Sequence, residues 1–98
     1  MSYEFYSEYV NHCLRFYARY EHPALLSDVD KRNWEACDNA LREFTDREQD
    51  TLLTIYRGYD TLTDNIYQLA RKQGVSQNSI WKLVKVLKKK VAEQRGLL

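Results

Sequence analysis

Gln77 and Asn78 stand side by side in the stretch QLARKQGVSQNSIWKLVK, which runs from Gln68 to Lys85. A primary amide presents a donor and an acceptor together, matching N6 and N7 of adenine in the major groove. Each such bidentate contact gives about 1–3 kcal/mol of discrimination. Ser79 can bond either kind of base edge, and Lys82, one turn further along a helix, can hold a phosphate or guanine. These four residues are the candidate base readers. Candidates for the sugar-phosphate backbone lie around them: Ser76, Arg71, Lys72, Lys85, Lys88 and Lys89. Ser76 would act at a helix N-terminus, where free N–H groups and the dipole favour an anion. The cations would neutralise phosphate charge, an attraction that added salt weakens steeply. The competing reading makes Gln77, Asn78 and Ser79 merely a polar helix start. It also makes the run Lys88, Lys89, Lys90, which cannot all face one way, a solvated surface.

Base reading needs a helix tip held clear of the body, and the same stretch carries the means. Gly74 sits where a left-handed backbone conformation ends one helix, a conformation cheap only for glycine. Ala70 lies where two helices must approach closely. Val75 and Ile80, with Leu69 and Leu83, would close the pair over a shared core. Ala70, Gly74, Val75 and Ile80 together have the spacing of a helix-turn-helix, in which the N-terminal end of the second helix reaches base edges. Ser76 is the expected cap of that second helix, which should run from about Gln77 to Gln94 with Ile80, Val84, Leu87 and Val91 as its buried stripe. Trp81 is assigned to the flank of the core rather than to a thymine methyl.

The rest of the chain supplies the body. YEFYSEYVNHCLRFYARYE places Phe5, Tyr6, Tyr9, Cys13, Phe16, Tyr17 and Tyr20 at steps of three and four, an aromatic helix face ended by Pro23. A second helix should start between Ser27 and Asp30 and run to Phe44, burying Trp34, Cys37, Leu41 and Phe44. Thr45 followed by Glu48 is a capping box that opens a third helix. Leu52, Leu53, Ile55 and Tyr56 form its apolar side, and Gly58 stops it. A fourth begins at a cap on Asn65 or Thr63 and ends at Gly74. The expected fold is all-α, about five helices in a single domain, without winged elements. Residues 1–26 form the aromatic helix, 27–60 an acidic helical body, and 61–98 the helix-turn-helix with its basic last helix.

Composition narrows the partners. The 98 residues are 44% hydrophobic and 30% charged with three glycines and one proline, a helix-rich globular profile. No apolar run approaches the roughly 20 residues that span a bilayer, and the start is not that of a secretory signal. A cytoplasmic protein without a membrane partner is expected. The net charge of +1 hides an asymmetry. Met1 to Asp60 holds seven Lys/Arg against twelve Asp/Glu, whereas Thr61 to Leu98 holds eight against two. A basic third on an acidic body points to a polyanion. Cys13 and Cys37 lack zinc-ligand spacing and read as small buried hydrophobes. His12 and His22 have no nucleophile or carboxylate constellation, and no phosphate-cradling glycine loop occurs. No catalytic residue, metal site or cofactor is expected.

From Ala36 to Arg95 the chain resembles region 4 of bacterial sigma factors. ALREFTDREQDTLLTIYRGYDTL is similar to the segment in which a short acidic helix enters through Thr-Asp-Arg-Glu and closes on an Arg-Gly turn. LARKQGVSQNSIWKLVKVLKKKV is similar to that family's helix-turn-helix, with Gly-Val-Ser leading into the recognition helix. The resemblance implies a recognition helix that reads an upstream promoter element and a surface that docks on the flap of the RNA polymerase β subunit. Two departures stand out. The connection before the fourth helix is slightly longer than the family's, and the chain leaves no room for the region that melts the promoter. The expectation is therefore a stand-alone region-4-like factor or small transcription regulator, of the kind mobile elements carry, that binds double-stranded DNA. The tyrosine-rich first helix lies outside the resemblance and is a candidate homodimer surface. The alternative is an interaction module that docks on RNA polymerase or a sigma factor without touching DNA.

Overall fold

The computed structural model describes residues 3–20 and 27–97. Helices α1 (Tyr3–Arg19), α2 (Asp28–Leu41), α3 (Asp46–Arg57), α4 (Leu62–Gln73) and α5 (Gln77–Gln94) follow one another. No strand occurs among the described residues, and the fold is all-α. Helices α2 to α5 each begin at a Ser or Thr whose side-chain oxygen accepts the N–H three residues on. That bond satisfies a donor the helix itself leaves without a partner. At α3 it is reciprocal, as the sequence predicts: the Glu48 N–H donates to Thr45 Oγ1 at 3.2 Å and the Thr45 N–H to Glu48 Oε1 at 2.9 Å. Helix α2 stops at Leu41, short of Phe44, which nevertheless packs against the core. The stop assigned to Pro23 lies outside the described residues.

Two expectations about the α3–α4 connection are corrected. The cap of α4 is Thr61, not Asn65 or Thr63, so the helix starts earlier. Asn65 is buried one turn inside, where its Nδ2 donates to the Ile55 carbonyl at 2.9 Å and the Asp60 carbonyl at 3.2 Å. It therefore closes the end of α3 rather than the start of α4. Gly58 does cap α3, but its φ of −61° is ordinary backbone. What excludes a side chain is space, since a Cβ there would come within 2.5 Å of the Asn65 amide.

One apolar cluster draws residues from all five helices. Helix α1 packs against α2, α3 and α5. It buries Tyr6, Val10, Cys13, Leu14 and Ala18, a face thinner than the aromatic one the sequence pattern favours. A helix packed against three others needs small and aliphatic side chains where backbones approach, so of its described rings only that of Tyr6 is buried and the others stand at the rim. There their polar tips find partners. Tyr17 donates to Asp38 Oδ1 at 2.8 Å, and Tyr9 meets the amide of buried Asn33. Burial, and then the bond to Asp38, pushes the Tyr17 phenol above its usual range. Trp34 is half-buried rather than buried, its ring 5.0 Å from that of Tyr17 and its indole N–H on the Tyr20 carbonyl. Cys13 and Cys37 are free, buried thiols raised by burial, the small-hydrophobe role expected of them.

The Gly58–Asn65 contact yields a prediction. Gly58→Ala must displace an amide held by two carbonyls, and overpacking of this kind costs about 1–3 kcal/mol. A denaturant titration should show a lower midpoint with an unchanged slope. An unchanged midpoint would mean that the close approach carries no constraint.

Candidate nucleic-acid interface

Helix α4 ends at Gly74, whose φ of 67° and ψ of 31° are left-handed. A Cβ built there meets nothing within 4 Å, so glycine is required by the backbone and not by crowding. The turn satisfies the helix end: the Val75 N–H donates to the Ala70 carbonyl at 3.0 Å and the Gly74 N–H to the Arg71 carbonyl at 3.4 Å. Ser76 then starts α5, three residues after α4 ends. Ala70 and Ile80 are buried and Leu69 nearly so, as the packing of this pair requires. Val75 is corrected. It is 39% exposed, because the turn holds it through its N–H and leaves its side chain at the rim. There it lines a shallow groove with Ile80, Leu83 and Arg47.

Every residue from Arg71 to Ser79 is exposed, the longest such run among the described residues. Gln77 and Asn78 fall inside it, and neither side chain makes a hydrogen bond with another described residue. Ser76 and Ser79 are more committed. Ser76 Oγ accepts the Ser79 N–H at 3.2 Å, and the Ser79 hydroxyl donates to the Ser76 carbonyl at 2.7 Å. The start of α5 also differs electrostatically. Helices α2, α3 and α4 carry carboxylates in their first turns, whereas α5 carries none. Its positive pole therefore faces outward uncompensated.

At 3.6 residues per turn, Asn78, Lys82, Lys85 and Lys89 form one outward stripe opposite Ile80, Val84, Leu87 and Val91. All four are exposed. Among the described residues only two ion pairs occur, Arg42–Asp38 at 2.9 Å and Lys90–Glu43 at 3.1 Å, so none of the stripe's lysines is ion-paired there. Arg71 and Lys72 are exposed on α4 beside the turn. Trp81 is half-buried against the core, the flank position expected of it.

Lys88 does not belong to this surface. It is 4% exposed, and its ammonium donates to Ser7 Oγ on α1 at 2.9 Å. Helix α1 covers the side of α5 on which Lys88 and Ala92 lie, so the buried arc of α5 is wider along its second half than the stripe of four apolar residues implies. A lysine can lie there because its stem packs like an aliphatic chain while its head reaches a hydroxyl. Of the three consecutive lysines, Lys88 is buried, Lys90 is paired and Lys89 alone is available. Two further surface residues escaped the sequence reading. Val86, 46% exposed, sits between Lys82 and Lys89, and Tyr67, 45% exposed, stands one turn before Arg71. An apolar side chain on a polar face was their only signal. Among the described residues no three His, Cys, Asp or Glu side chains gather as a metal site, and no helix is long and apolar enough to cross a membrane.

Burial lowers the Lys88 ammonium pKa. The folded state then binds fewer protons than the unfolded chain just below the ordinary lysine range, so stability rises with pH there. Lys88→Met should hold or raise the denaturant midpoint at neutral pH, and its advantage over the parent should shrink as pH approaches that range. A clear loss at neutral pH would show instead that the interactions of the ammonium, the bond to Ser7 among them, outweigh the desolvation of the charge.

No protein-family model matches the chain, and comparison with curated proteins and with solved structures likewise finds no match. The likeness to sigma region 4 rests on the motifs quoted above.

Proposed function

We propose that the chain is a sequence-specific DNA-binding protein acting in transcription, either a regulator or a stand-alone factor resembling sigma region 4. In this reading α4 and α5 are the two helices of a helix-turn-helix, and the N-terminal half of α5 enters the major groove, which is wide enough for a helix. The observation that carries it is the exposed run from Arg71 to Ser79, continued by the unneutralised lysines of α5. Gln77 and Asn78 are the principal base readers, since their amides are free. Lys82 reaches a base or phosphate one turn on, and Ser79 contributes only through the lone pairs its local bonds leave. Ser76, Arg71, Lys72, Lys85 and Lys89 hold the backbone. The positive pole of α5 and the charge asymmetry of the sequence favour the same polyanion.

The groove lined by Val75, Ile80 and Leu83 favours a second reading, a module that docks on RNA polymerase, its β flap or a sigma factor without contacting DNA. The two readings differ in a simple observable. DNA binding requires retention on heparin and a log affinity that falls linearly with log salt. An adaptor requires neither and should co-purify with polymerase subunits.

Selection of bound duplexes from a random pool should enrich a motif for the parent, and Gln77→Ala and Asn78→Ala should each relax it at one position. Lys85→Ala should weaken all sequences alike and lower the salt slope by about 1, whereas Lys88→Met should leave the slope unchanged. Enrichment of the parent's motif by both amide variants would remove the base-reader assignment, and a lower slope for Lys88→Met would place that lysine on the DNA after all.

A further inference from the structure

Arg71 differs from the other cations near the turn in having a partner that orients it. Its guanidinium carbon lies 5.7 Å from the centre of the Tyr67 ring, and Nη1 donates to the Tyr67 hydroxyl at 3.5 Å. The two residues are one helical turn apart on α4, where side chains four apart share a face. Lys72, Lys82, Lys85 and Lys89 have no such support among the described residues. The Tyr67 hydroxyl accepts from Arg71, so its own proton remains to be donated. Its ring is 45% exposed, so much of it remains available to a partner.

We infer that Tyr67 is a further DNA-contacting and positioning residue, whose ring holds the Arg71 guanidinium over the duplex backbone and whose hydroxyl donates to the same phosphate. The inference rests on the DNA-binding reading and deepens it. A free arginine must lose rotamer freedom when it grips a phosphate, and one already held against a ring loses less on binding. A guanidinium fork and a phenol proton together present three donors to the phosphate oxygens, which suits a bidentate contact with a third bond beside it. No other exposed tyrosine among the described residues combines a cation with a place beside the turn. Tyr59 pairs with Arg19, which belongs to α1 and binds the Gly58 carbonyl.

The test is a double-mutant cycle on the full chain with a mixed-sequence duplex, because phosphate contacts do not depend on sequence. Tyr67→Phe keeps the ring and loses the proton, and should weaken binding about three- to tenfold with an unchanged salt slope. Arg71→Ala should lower the slope by about 1. Tyr67→Ala should weaken the parent more than Tyr67→Phe does, and should cost much less in the Arg71→Ala background. Tyr67 is on the surface, so circular dichroism should show the same fold in every variant. Parental affinity in Tyr67→Phe and Tyr67→Ala, with the parent binding duplex in a salt-dependent way, would overturn the inference and leave DNA binding intact. A parent that binds no duplex at any salt would overturn both.

Discussion

The left-handed turn at Gly74 is the constraint on which the rest of the surface depends. It ends α4, satisfies that helix's last carbonyls through the Gly74 and Val75 N–H groups, and lets Ser76 begin a new helix at once. With only three residues between the helices, the start of α5 has no room to fold back over the body. The residues around the turn therefore all face water, and the first turn of α5 offers amides, hydroxyls and backbone N–H groups with no carboxylate among them. A longer or more pliant connection would leave the direction of α5 undetermined.

The other end of α5 is held by α1. That helix is joined to its neighbours by polar bonds as well as by its apolar face. Asn11 accepts from Tyr56, Ser7 from Lys88, and the Ala18 carbonyl from Arg57. Buried Asn33 on α2 ties Tyr9 of α1 to Arg95 just past α5, with its Nδ2 on the Tyr9 hydroxyl and its Oδ1 accepting the Arg95 Nε–H. Each partner is specific, so the network fixes one arrangement of helices where apolar contact alone would tolerate several. The consequence for α5 is a division of labour. Its second half is buried over a wider arc, and its first turn is exposed. Most of the aromatic face once open to dimerisation meets partners inside the chain, although Tyr9 and Tyr20 keep substantial exposure.

The features legible in the sequence were those set by local rules. The limits of α5, the stop at Gly74, the cap at Ser76 and the capping box at Thr45 all follow from residues within one turn of each other. The misread features depend on which element lies alongside. Lys88 looks like a surface cation until α1 covers that side of α5. Asn65 looks like a cap until the end of α3 is seen to need its amide. The buried face of α1 keeps Tyr6 and Cys13 but turns away from Tyr9 and Tyr20 because three helices pack against it, a fact that no one-dimensional period contains. Val75 was misplaced for a different reason, since the hydrogen bond that fixes it belongs to the backbone and leaves the side chain free. The candidate site was legible for Gln77, Asn78 and Lys82, whose exposure follows from position, and illegible for Tyr67, whose meaning depends on the guanidinium above it.

Charge and shape coincide on α5: a helix tip with free amides, an uncompensated positive pole and a stripe of lysines that form no ion pair among the described residues. The most direct measurement is the mapping of backbone amide chemical shifts as duplex DNA is added. The account predicts perturbations confined to Tyr67, to residues 71–79 and to Lys82, Lys85 and Lys89. Perturbations centred on α1 and α2, or confined to the groove around Val75 and Leu83, or none at all, would contradict it.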